Sequence, residues 1–85
     1  MLRERLAEYY RGITSEDYAR KVIQAYMDGR QSLKWLGSML EFWSSGSDLR
    51  KDPARRKSEI VRVIDSYGGG RTREILSEMR KRGLV

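Results

Sequence analysis

Residues 32–43, SLKWLGSMLEFW, set the tightest limit on what this chain can fold into. Leu33, Leu36, Leu40 and Trp43 recur at i, i+3, i+7 and i+10, the spacing of one face of an α-helix. Trp35, Met39 and Phe42 fall beside them. At about 100° per residue, these apolar side chains sweep roughly half the circumference. Only Lys34, Gly37, Ser38 and Glu41 are left for the other half. One neighbour cannot cover so wide an arc. The spacing therefore predicts a central helix packed on two or more sides.

The flanking segments supply the neighbours. Leu2, Leu6, Tyr9, Tyr10 and Ile13 mark one face of a helix over 2–13, with Arg3, Glu4, Glu8 and Arg11 opposite and Gly12 as a stop. Thr14 and Asp17 have capping-box spacing. The helix they open runs over 15–28, with Tyr18, Ala19, Val22, Ile23 and Tyr26 inward, and Gly29 ends it. Ser32 can cap the central helix, which ends near residue 44. Residues 44–52, SSGSDLRKD, read as a turn-rich linker. Asp52-Pro53 reads as an N-cap followed by proline at the first helical position. A helix over 53–67 then presents Ile60, Val63, Ile64 and Tyr67 at i, i+3, i+4 and i+7. Gly68-Gly69-Gly70 breaks it. A last helix over 72–82 buries Ile75, Leu76 and Met79, and Gly83 stops it, leaving Leu84 and Val85 to fold back on the core. No segment alternates with period two for long enough to form a strand. The expected fold is all-α, a compact bundle of about five short helices. It is one domain, with a core-forming half (1–44), a linker (45–52) and a basic half (53–85).

Composition narrows the chemistry. Eighty-five residues, 39% apolar and 35% charged, suit a single small folded domain. No apolar run approaches the ~18 residues of a spanning helix. The first ten residues lack a signal-peptide core, so the expected location is cytoplasmic and no membrane association is expected. There is no cysteine and no histidine. Thiol chemistry, histidine general-base chemistry and the usual zinc ligands are therefore absent. The acids are scattered and show no calcium-loop spacing. No catalytic residue, metal or cofactor is expected, and no small-molecule substrate. The Glu4/Glu8 pair is expected to be plain helix surface.

Charge is more informative. The net charge is +6. Residues 1–47 hold seven Lys/Arg and six Asp/Glu, whereas residues 48–85 hold eleven and six, so the excess is C-terminal. Within that half, Gly69, Gly70, Arg71, Thr72 and Arg73 place a glycine turn and two arginines ahead of a helix N-terminus, a general setting for an anion. The turn is no nucleotide-binding P-loop, because Gly-Lys-Ser/Thr at the required spacing is missing. On the helix that follows, Arg73, Ser77 and Arg80 fall at i, i+4 and i+7, opposite Ile75, Leu76 and Met79. Glu74, Glu78 and Lys81 lie to one side and can instead knit a solvated ion-pair surface. A second cluster comprises Arg50, Lys51, Arg55, Arg56 and Lys57. Arg55 has Glu59 at i+4, and Arg62 has Glu59 or Asp65 at i±3. Arg56 and Lys57 have no comparable acid on their own helix and are the better phosphate candidates.

A helix, a short turn and then REILSEMRKRGLV resemble the second half of helix-turn-helix and winged-helix nucleic-acid-binding domains. The resemblance covers residues 58–85. It implies that Thr72, Arg73, Ser77 and Arg80 face the nucleic acid. The chain departs from that pattern in its three turn glycines, and the wing would follow residue 85.

Two functions are therefore expected. The first is nucleic-acid binding, with double-stranded DNA favoured over RNA. Its residues would be Arg56, Lys57, Gly69, Gly70, Arg71, Thr72, Arg73, Ser77 and Arg80. The second is a non-catalytic interaction or assembly subunit, as a homodimer or within a larger nucleoprotein complex. It would use Trp35, Met39 and Phe42 at the margin of the apolar arc.

Overall fold

A computed structural model describes residues 16–85, and the expected helix over 2–13 with its Glu4/Glu8 pair lies outside them. The described residues form helices α1 (Glu16–Met27), α2 (Leu33–Trp43), α3 (Ser47–Arg50), α4 (Pro53–Tyr67) and α5 (Thr72–Lys81), with a 3₁₀ turn at Gly69–Arg71 before α5. The architecture is all-α, with no strand among the described residues.

Local chemistry accounts for most helix ends. Ser32 Oγ accepts a hydrogen bond from the Trp35 amide at 3.1 Å and opens α2. Asp52 Oδ1 accepts from the Arg55 amide at 3.1 Å and opens α4, with Pro53 in the first turn. Helices α1 and α5 end the same way. Gly29 (φ 78°) and Gly83 (φ 76°) turn left-handed, and the next amides, Arg30 and Leu84, bond back to Ala25 and Met79 at 3.0 Å. Asp17, in the first turn of α1, accepts from Arg20 at 2.5 Å and Lys21 at 3.1 Å. These bonds hold its carboxyl below the ordinary aspartate range, Arg20 contributing most.

The expected linker contains α3, a single helical turn. Four residues are too few to show a period, so the sequence pattern misses it. Its Leu49 is half-buried, and α3 packs against α4.

The core draws on four helices: Ala19, Val22, Ile23 and Tyr26 from α1, Leu36, Leu40 and Trp43 from α2, Ile60, Val63 and Ile64 from α4, and Ile75 and Met79 from α5. Helix α2 packs against α1 and α5, and α4 packs against the same two. The central helix is thus covered on two sides, as its wide apolar arc requires. Each large apolar side chain buried here contributes roughly 1.5–3 kcal/mol.

The buried face of α2 is rotated relative to the apolar arc. Leu36, Leu40 and Trp43 are buried, Leu33, Trp35 and Met39 are half-buried, and Phe42 is 55% exposed. Gly37, on the polar half by pattern, is buried. The reason is the close approach of α5. A Cβ at position 37 would lie 2.5 Å from Arg82 Nε and 2.9 Å from Glu78 Cγ. A glycine there lets the two helices meet, and the contact swings Phe42 toward solvent.

Candidate nucleic-acid interface

Helices α4 and α5 are joined by Gly68 and the Gly69–Arg71 turn. Gly68 is buried where the two helices come together. A Cβ on it would sit 2.6 Å from the Ile64 carbonyl oxygen and 2.9 Å from Thr72 Oγ1. Gly69 has φ 53°, and the Arg71 amide bonds back to the Gly68 carbonyl at 3.0 Å. Gly70 is exposed with open space around its Cα. Thr72 donates its hydroxyl hydrogen to the Gly69 carbonyl at 2.8 Å and is half-buried. Its first use is therefore to close the turn. No side chain caps the N-terminus of α5.

Arg73, Ser77 and Arg80 are exposed along α5, and Arg71 and Lys81 are exposed beside them. Ile75 and Met79 are buried on the opposite face and Leu76 is half-buried. Arg71, Arg73, Arg80 and Lys81 make no ion pair with another described residue. The two acids of α5 are held differently, and only Glu78 is paired with a cation. Glu78 binds Arg82 at 2.9 Å. Glu74 accepts a hydrogen bond from the Tyr26 hydroxyl. That bond and burial raise the Tyr26 phenol above its ordinary range, while Arg71 pulls the other way. The Arg71 guanidinium carbon stands 5.3 Å from the Tyr26 ring centroid, within cation–π range.

Other arginines are committed to the fold. Arg62 bridges α4 to α1 through Glu16 and also meets Glu59 at 2.8 Å. Arg82 bonds Glu78 at 2.9 Å, Glu41 at 3.1 Å, the Lys34 carbonyl at 3.1 Å and Ser38 at 3.2 Å, tying the end of α5 across α2. Arg56, expected at a phosphate, donates to Ser44 Oγ at 3.0 Å and to the Glu41 carbonyl at 3.1 Å. Both acceptors lie at the C-terminus of α2, where a cation also meets the negative end of the helix dipole. Lys57, one residue on, is exposed and free of ion pairs with the described residues. Of the two clusters, the turn and α5 are therefore brought together as one exposed basic surface, whereas Arg56 is spent on a helix end.

Phe42 lies in an open depression of about 450 Å³ shared with Ser38, Glu41, Ser45, Arg56 and Arg82. Trp35 and Met39 pack partly against the core instead.

Three residues gain weight only in three dimensions: Tyr26, Gly37 and Arg82. For Gly37 a signal was present, since a glycine inside an apolar helix costs about 1 kcal/mol relative to alanine and marks a close approach. For Tyr26 and Arg82 the partners lie 48 and 41 residues away in the chain. Among the described residues, no cluster of acids could hold a metal ion, and no helix is long and apolar enough to cross a membrane. Compared with protein-family models, with curated proteins and with solved structures, the chain finds no match.

Proposed function

We propose that this protein binds nucleic acid, double-stranded DNA in the first place, through the turn before α5 and the exposed face of that helix. The observation that carries the reading is the set of exposed cations with no ion pair to another described residue: Arg71, Arg73, Arg80 and Lys81, set against one exposed carboxylate, Glu74, and a Glu78 that is paired with Arg82. Ser77 in their midst adds a hydroxyl that can donate and accept. Such a stripe, backed by an apolar face fixed to a core, suits phosphate contacts from both margins of a groove. Lys57 adds charge from α4. Gly69 and Gly70 keep side chains off the approach to Arg71, and Thr72 holds the turn.

Phosphate neutralisation releases counterions, which makes the test direct. Binding of a short DNA duplex, followed by fluorescence anisotropy, weakens steeply between about 50 and 200 mM salt. In the triple variant Arg71→Ala, Arg73→Ala, Arg80→Ala, the slope of log K against log salt falls by roughly 0.9 for each phosphate no longer neutralised. A duplex RNA of the same length ranks the two nucleic acids. Absent or salt-independent binding overturns the reading.

A second reading rests on Phe42, the one large hydrophobic residue strongly exposed among those described. An exposed phenylalanine beside Arg56, Arg82 and Glu41 suits a protein partner, and the half-buried Trp35 and Met39 of the same helix can add to that contact. A homodimer and a place in a nucleoprotein assembly both fit, and neither conflicts with DNA on α5.

A further inference from the structure

Arg71 is held unlike the other fixed arginines. Arg82, Arg62 and Arg56 spend their N–H donors on acids, carbonyls and a hydroxyl of the protein. Arg71 instead rests over the Tyr26 ring, close enough to the hydroxyl to act on it as a donor, and makes no ion pair with another described residue. A cation–π contact uses the guanidinium face and leaves the donors at its edge available. Those donors are what chelates a phosphate bidentately.

Tyr26 is itself held on both ring and hydroxyl. Its side chain is only 6% exposed, it belongs to the core of α1, and its hydroxyl is anchored on Glu74 at the start of α5. The same hydroxyl bond holds the Glu74 carboxylate. One buried ring thus reaches from α1 to the edge of the basic face and sets the position of both charges there.

We propose that Tyr26 is a positioning residue for phosphate: it preplaces the Arg71 guanidinium, which has no ion pair with another described residue, to receive a backbone phosphate of the nucleic acid. The inference rests on the binding function proposed above and deepens it. Holding an exposed arginine in place before the ligand arrives removes rotamer entropy that binding would otherwise have to oppose. The ligand class at Arg71 is a phosphodiester. The contact carries no base information.

Charge and position have separate signatures. Counterion release follows the number of charges, whereas affinity at one salt concentration also depends on preorganisation. Arg71→Ala removes both, lowering affinity and reducing the salt slope by roughly 1. Tyr26→Leu leaves Arg71 charged but unsupported: duplex affinity falls roughly threefold to tenfold while the slope is kept. Adding Arg71→Ala to Tyr26→Leu then costs less than it does in the wild type.

Tyr26 is a core residue, so circular dichroism must first show Tyr26→Leu to be folded. Arg71→Lys, on an exposed site, tests the same point independently. It keeps the charge and the slope but loses the planar fork, and its affinity falls threefold or more. Wild-type affinity in Arg71→Lys, or in a folded Tyr26→Leu, overturns the inference and leaves DNA binding standing. A wild-type chain that does not bind the duplex overturns both.

Discussion

The cost of a single methyl group shows how closely α5 is fitted to α2. Alanine in a helix interior is favoured over glycine by up to about 1 kcal/mol. At Gly37 that gain is opposed, because the new Cβ would collide with Arg82 Nε at 2.5 Å and Glu78 Cγ at 2.9 Å. The Arg82 guanidinium would have to shift, straining its bonds to Glu41, Ser38 and the Lys34 carbonyl. Charge-assisted hydrogen bonds are worth about 1.5–3 kcal/mol each when well sheltered, and less in this partly exposed site. The collision wins. Gly37→Ala should lower the urea unfolding free energy by about 1–2 kcal/mol. In an Arg82→Ala background the same change should cost less than half as much, since the main obstacle is gone. Equal costs in both backgrounds would mean that Arg82 is not what confines Gly37.

Adjacent arginine and lysine residues at the start of α4 test, at the level of an element, whether the proposed binding is separable from folding. Arg56 closes the C-terminus of α2 through Ser44 and the Glu41 carbonyl, and Ser44 Oγ itself donates to that carbonyl at 3.1 Å. Lys57 is exposed. Arg56→Ala should therefore cost about 1–2 kcal/mol in thermal or urea unfolding and barely alter the salt slope of DNA binding. Lys57→Ala should do the reverse, leaving stability within about 0.5 kcal/mol and weakening the duplex. Calorimetry and anisotropy on the two variants decide it. If Arg56→Ala weakens DNA without destabilising the fold, Arg56 belongs to the interface after all.

At the scale of the whole molecule, two surfaces have no partner among the described residues, the basic face of α5 and the side of α2 that carries Phe42. They can work together or separately. Phe42→Ser removes an apolar side chain from water, not from the core. Stability should stay within about 0.5 kcal/mol, while concentration-dependent self-association in sedimentation equilibrium should fall. A wild-type chain that is monomeric at every concentration removes the homodimer form of that reading. The helices themselves were readable from linear pattern. The period of 3.6, Ser32, Asp52-Pro53 and the glycines at 29, 68 and 83 act through residues within a few positions of each other, so α1, α2, α4 and α5 lie where the spacing put them. The basic stripe Arg73, Ser77 and Arg80 was readable for the same reason, since a helix that buries Ile75 and Met79 must expose what lies opposite.

Pairings across the chain obey no such local rule. Nothing near Arg56 in sequence says that its guanidinium will cap a helix twelve residues back, and nothing near Arg82 says that it will lie over Gly37. The chain's own order of residues specifies which segments are helical, which faces are apolar and where positive charge accumulates. Which of those charges remain available to a partner, and that Phe42 rather than Gly37 faces water, follows from how α5 docks on α2. Docking is set by steric fit and by hydrogen bonds between residues tens of positions apart, and those quantities exist only once the helices have met.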